Sequence, residues 1–298
     1  MDKSSSILVV TGHTTADAPL LAKSLRLAQS FATNLELYLC DAEHAYSLQH
    51  AYEQVGVESV KKSCIAEAIG YLARLKASAV GTDVSISIDA ACESPLCEGI
   101  VRKVRQSAPQ LVIKTAGGSD SADRTVLDFN DWHLMRACPA TLMLTRGRRW
   151  RPNPRIAAAV DMSEQETAGL ASRILQNTAA LARATGAELE LLYVERENTG
   201  CAGARARSIA LERLATEAGL HSGQIHSLAG DPEHVLPLFA SGRDYDVLVL
   251  GALTHRTALA PLVGTLTSRL VDMLDCDFVL VKADAARLPE LTSRTSTT

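Results

Sequence analysis

The chain has 298 residues, 47% of them hydrophobic, with a formal net charge of -4 and a pI near 6.1. At roughly 150 residues per domain this length accommodates two compact units, each large enough to bury a core. The mild acidity leaves no polyelectrolyte footprint, so composition argues against nucleic acid and against an anionic membrane surface as partners.

The first apolar run, residues 7–10, turns polar again at Thr11, too soon for the core of a signal peptide. No run approaches the about 18 apolar residues of a membrane span, and a soluble cytoplasmic protein is expected. Seven cysteines, at 40, 64, 92, 97, 138, 201 and 276, contain no CxxC pair. Their scatter predicts reduced, mostly packing thiols rather than a disulfide framework or a zinc site.

In chain order, residues 7–10 are a continuous β-branched run, expected as a central parallel strand covered on both faces. Apolar residues at helical spacing predict a helix over 18–32, and 35–39 alternates as a strand. Residues 41–57 carry His44, Tyr46, His50 and Tyr52 without one period, so no element is assigned there. His44 and His50 lack a third ligand and read as surface or packing residues. A helix over 59–79, a strand over 84–88, a helix over 95–107, a strand over 111–113, a helix over 130–137 and a strand over 141–144 follow. Trp132 and His133 on the last helix read as packing and surface residues.

Residues 146–155 break the pattern with five arginines and two prolines, the composition of an exposed connector. Beyond it the order repeats. A strand over 156–160 ends at Asp161; then come a helix over 164–185, a strand over 187–194, a helix over 203–219 and a strand over 224–228. A helix is expected to open at Pro232, and strands are expected at 247–250 and 278–281. Residues 32–37 and 186–191 share a helix-to-strand turn, and 131–144 echoes 270–281. The chain is read as a duplication, with domains over 1–146 and 155–283 and a frayed polar tail over 284–298. Such alternation predicts a mostly parallel sheet with helices on both faces in each half.

Ligands of such sheets bind outside the carboxyl ends of the strands, so Asp161, Val194, Gly251, Gly264 and Thr265 are expected to converge. A strand ending on Gly251 admits a ligand to the backbone, and Gly264 with Thr265 at a helix start offers N–H groups and a hydroxyl to an anion. The same residues also suit a tight strand-to-helix connection with Thr265 as N-cap, and Asp161 suits a cap for a helix starting near Glu164. Both readings stay open. No GxxxxGK[ST], HExxH or GxSxG motif occurs, and no nucleophile has an evident base, so no catalytic constellation is assigned.

The order Gly251-x2-Thr254-x9-Gly264-Thr265 resembles the G-x2-G-x9-G-[S/T] nucleotide loop of the universal stress protein family, with Asp161 matching that family's ribose- or Mg-linked aspartate. The resemblance covers nearly the whole chain as two tandem domains. It implies two Rossmann-like, adenine nucleotide alpha hydrolase-like α/β domains, each with a five-stranded parallel sheet. It further implies a stress-response binding module with ATP (carrying Mg) or AMP as ligand. Thr254 replaces a loop glycine; were φ positive there, the β-branched residue would cost about 1–2 kcal/mol. In the first half Gly12 stands at the aspartate position and residues 125–130 replace the glycine pattern, which implies no nucleotide there. Two other functions fit the residues. One is a slow ATPase, which would need a metal and a water-activating group. The other is an interaction scaffold, whose two sheets would pack within the chain by terminal strands at 142–144 and 279–281, or a binder of another small ligand; self-association is a further expectation.

Overall fold

The computed structural model describes residues 6–50, 56–79, 81–117, 127–162, 169–195, 201–252, 265–283 and 288. The chain divides into two compact units, Met1–Arg149 and Trp150–Thr298.

In the first unit the elements are β1 (Ser6–Thr11), α1 (Asp17–Ser30), β2 (Asn34–Cys40), α2 (Ala42–Gln49), α3 (Val57–Ala77), β3 (Ile86–Ala91), α4 (Leu96–Ser107), β4 (Leu111–Thr115), α5 (Phe129–Ala137) and β5 (Thr141–Thr145). Every pairing is parallel, in the order β3-β2-β1-β4-β5. β1 is central, and Ile7, Leu8 and Val9 are almost wholly buried, which explains an uninterrupted apolar run where a half-solvated strand would alternate. At about 1.5–3 kcal/mol for each fully buried large aliphatic side chain, such strands are the main stabilising core of the unit.

In the second unit the elements are β6 (Arg155–Val160), α6 (Leu170–Thr185), β7 (Glu188–Glu195), α7 (Cys201–Glu217), a 3-10 turn at Ser222–Gln224, β8 (Ile225–Ala229), α8 (Pro232–Ser241), β9 (Val247–Gly251), α9 (Thr265–Met273) and β10 (Asp277–Val281). The order is β8-β7-β6-β9-β10, again parallel throughout. β6 and α6 are both rich in buried alanine. Ala157 and Ala158 are fully buried on the strand, and Ala171, Ala179, Ala180 and Ala182 are buried on the helix.

Local chemistry sets the helix boundaries. Pro232 opens α8 as expected, behind Asp231, whose carboxylate accepts from Glu233 N–H. α6 stops at Gly186, in the left-handed region at φ 65°. Helix α2 corrects the unassigned reading of residues 41–57. Asp41 caps it by accepting from His44 N–H, and this one cap overrides a sequence with almost no apolar stripe, only Ala45 being buried. The strand expected at 84–88 lies instead at Ile86–Ala91. The tail reading of 284–298 does not extend to Leu288, which is buried and donates its N–H to Asn177 Oδ1 at 2.9 Å. Among the described residues no helix is long and apolar enough to cross a membrane.

Candidate functional site

In each unit the chain leaves the central strand toward one edge, to β2 and β3 or to β7 and β8, then returns to lay β4 or β9 on the other side. The carboxyl ends of β6 and β9, like those of β1 and β4, therefore flank a switch point, where neighbouring loops part and leave a crevice.

At the switch point of the second unit, Asp161 directly follows β6 and is half-buried. Val160 pairs with Tyr193, which brings Asp161 level with Val194 at the end of β7. Gly251 ends β9 in register with Val281 of β10. Thr265 is the first residue of α9. Its side chain, Thr254 and Gly264 lie outside the described residues. Asp161, Val194 and Gly251 thus share the carboxyl edge of one sheet. Residues 163–168, where the helix start near Glu164 was expected, are also outside the described residues; α6 as described begins at Leu170 after Gly169, too far along the chain for Asp161 to cap it.

Gly251 has a packing reason of its own. A Cβ there would stand 2.9 Å from Leu170 Cδ2 and 3.3 Å from Ile174 Cδ1, so α6 fills the space that a side chain would need. Sequence flags the glycine but not its neighbour, because Leu170 belongs to a different crossover.

A polar group at the same edge was not foreseen. Glu195, the last residue of β7, accepts from Tyr193 Oη and, at 2.6 Å, from Arg207 Nη2 on α7. Its backbone carbonyl accepts from Gly230 N–H at 3.1 Å. Burial, with the Glu195 hydrogen bond adding to it, pushes the Tyr193 phenol up to about 12, so it remains a donor at neutral pH. Strand alternation puts Tyr193 and Glu195 on one face; nothing in the spacing announces Arg207.

The switch point of the first unit is occupied by the protein's own carboxylates. Asp17, 2% exposed at the start of α1, accepts from Gly12 N–H at 3.0 Å, Thr14 N–H at 3.2 Å and Tyr71 Oη at 2.6 Å. Asp131, fully buried in the first turn of α5, accepts from Lys114 Nζ at 2.7 Å and from Gly117 N–H at 2.5 Å. It also forms a capping box with Asp128. Lys114 itself is 7% exposed on β4 and donates to Thr115 O at 2.8 Å. The N–H groups and positive helix end that would hold a phosphate are here satisfied from within the chain.

The parallel sheets with their switch points define a pair of Rossmann-like, adenine nucleotide alpha hydrolase-like α/β units. Residues 152–282 match the model of the Universal stress protein family. The likeness continues through the first unit. Universal stress protein E of Escherichia coli K12 is 21% identical over 302 aligned positions, covering 95% of this chain and 96% of that protein. Among solved structures, a functionally unknown protein of Pseudomonas aeruginosa PAO1 superposes with a TM-score of 0.71 at 22% identity, covering 94% of this chain and 93% of its own. A universal stress protein of Archaeoglobus fulgidus does so with 0.67 at 12% identity, covering 94% and 98%. At these identities the structural likeness speaks for the fold. The expected likeness to the universal stress protein family is borne out.

Proposed function

We propose that the chain is a tandem universal stress protein of the cytoplasm, with domains over 1–146 and 155–283. In this reading it acts in the stress response as a binding module, without catalytic turnover, and takes ATP (with Mg) or AMP at the switch point of its second domain. The observation that carries this is the contrast between two like edges. Asp17, Lys114 and Asp131 fill the first, whereas at the second Asp161, Val194 and Gly251 share the carboxyl edge of the sheet and α9 starts at Thr265. Asp161 would meet ribose or the metal, the backbone at Val194 the base, and the Gly264 and Thr265 segment the phosphates.

The experiment is calorimetric titration with Mg-ATP and AMP of the wild type, Gly264→Val and Thr254→Gly. Valine at 264 fills the volume a phosphate needs, so it should weaken binding at least tenfold. Glycine at 254 relaxes the loop and should leave affinity equal or higher. Equal affinities across all three would sink the phosphate assignment.

The close packing of Leu170 on Gly251 favours a second reading, in which the glycine serves only the fold and the protein is an interaction scaffold or binds another small ligand. Absence of heat with any adenine nucleotide, in a protein that stays folded, would favour it.

A further inference from the structure

Three donor groups meet in the first unit away from its switch point. Asp41 follows β2 directly, His44 lies on α2 and Cys64 on α3, and one ligating atom from each lies within 4.8 Å of the other two. The Asp41 N–H donates to Ala91 O at 2.8 Å, which ties the end of β2 to the end of β3 and so sets Asp41 beside Cys92, the next residue. Cys92 and Cys64 are both buried and share a small cluster with Ala45. One carboxylate, one imidazole and one thiol therefore meet, with the Cys92 thiol packed in the same small cluster as Cys64.

We propose that Asp41, His44 and Cys64, with Cys92 as the fourth donor, form a zinc site that clamps α2 and α3 to the ends of β2 and β3. Zinc takes mixed oxygen, nitrogen and sulfur donors tetrahedrally with bonds of about 2.0–2.3 Å, which puts ligand atoms roughly 3.3–3.8 Å apart. The three donors lie within 4.8 Å of one another, so zinc would draw the wider separations in and part the 2.7 Å Asp41–His44 contact. His44, with its side chain 62% exposed, is able to supply that by rotation. Hard cations such as calcium and magnesium want oxygen alone, and iron–sulfur clusters want more thiolates, so the donor set selects zinc. Each thiol passes its proton to solvent as it ligates. The Asp41–His44 contact of 2.7 Å opens as both groups turn to the metal. The spacing of His44 and His50 hid this site, because the third and fourth ligands come from a later helix and strand. The site is independent of the nucleotide reading of the second domain.

The test uses the full chain, reduced and stripped of metal, titrated with zinc against a chromophoric chelator and separately with cobalt(II). One equivalent of zinc is expected, and cobalt should show thiolate charge-transfer bands with the intense visible bands of four-coordination. His44→Gln, on an exposed side chain that the core does not need, should weaken zinc binding at least tenfold. Cys64→Ser should reduce the charge-transfer intensity. Cys97→Ser, at a buried thiol elsewhere, should leave both readouts unchanged. Substoichiometric zinc, cobalt spectra without thiolate bands, or wild-type affinity in His44→Gln would each overturn the site. Since His44→Gln should fold normally, a folding failure of Cys64→Ser does not blunt the result.

Discussion

Asp131 shows how one side chain closes a site. Its two oxygens serve Lys114 and the Gly117 N–H, and its residue is fully buried. Replacing it by alanine leaves the Lys114 ammonium, 7% exposed on β4, without this carboxylate. Removing one partner of such a buried pair costs about 3–5 kcal/mol. Asp131→Ala should therefore lose that much stability in urea unfolding, and Lys114→Met combined with Asp131→Leu should recover most of it. Recovery that fails, or a single-variant loss under about 1 kcal/mol, would mean the pair is solvated. Neither residue was legible as a pair in the sequence. The apolar run at 111–113 and the helix at 130–137 were both readable, but pairing across a loop depends on where the helix lands. Gly12 and the altered 125–130 segment did mark this half as unlike a nucleotide site, without saying what fills it.

At the scale of elements, Glu190 on β7 holds four neighbours. Its carboxylate accepts from Arg155 Nη2 of β6 at 2.7 Å and Tyr245 Oη, just before β9, at 2.7 Å; it also meets His226 Nε2 of β8 at 2.8 Å and Arg243 Nη1 at 3.3 Å. Burial alone would raise its pKa. The hydrogen bonds from Tyr245 and Arg155 and the charges of Arg155 and His226 outweigh burial and hold it below the ordinary carboxylate value. A carboxylate depressed in the fold contributes stability that is complete above its unfolded pKa, about 4.3, and lost as pH falls through the folded value. Glu190→Gln should cost about 1.5–3 kcal/mol near neutrality, the scale of hydrogen bonds to a charged group. The gap to wild type should close as the pH drops below about 4, read from unfolding curves across pH. A gap that widened in acid would refute the assignment. Alternation in residues 187–194 exposed Glu190 as a polar position in a buried strand, which is legible. Its partners come from three other segments and are not. Helix α2 was missed for the opposite reason: its stability rests on the Asp41 cap and on packing by Ala45, with too short an apolar stripe for periodicity to register.

For the whole molecule, the repeated order of strands and helices made the fold class readable, because a fully buried parallel strand and an amphipathic helix have different periods. The contents of the two switch points were less so. A glycine that a ligand needs and a glycine that a helix needs look alike in sequence, as Gly251 against Leu170 shows. Hydrogen exchange with saturating Mg-ATP should protect amides at the carboxyl ends of β6, β7 and β9. Those following β1 and β4, next to Asp17 and Asp131, should be unchanged. Protection at the first switch point with none at the second would reverse the assignment of the two units.

The carboxylate of Asp131 is, in effect, a ligand that cannot diffuse away. A dilute anion arriving at that seat competes with a group held by its own chain at an effective concentration on the order of millimolar or more, and would leave Asp131 itself buried without Lys114. No practicable dilution empties the seat and modest additions do not displace its occupant. Occupancy at the second switch point, by contrast, would follow the free ligand, adding about 2.7 kcal/mol of stability when the ligand reaches a hundred times its Kd. One half of the chain would then act as a fixed reference and the other as the gauge, with the difference in stability between them as the quantity that moves.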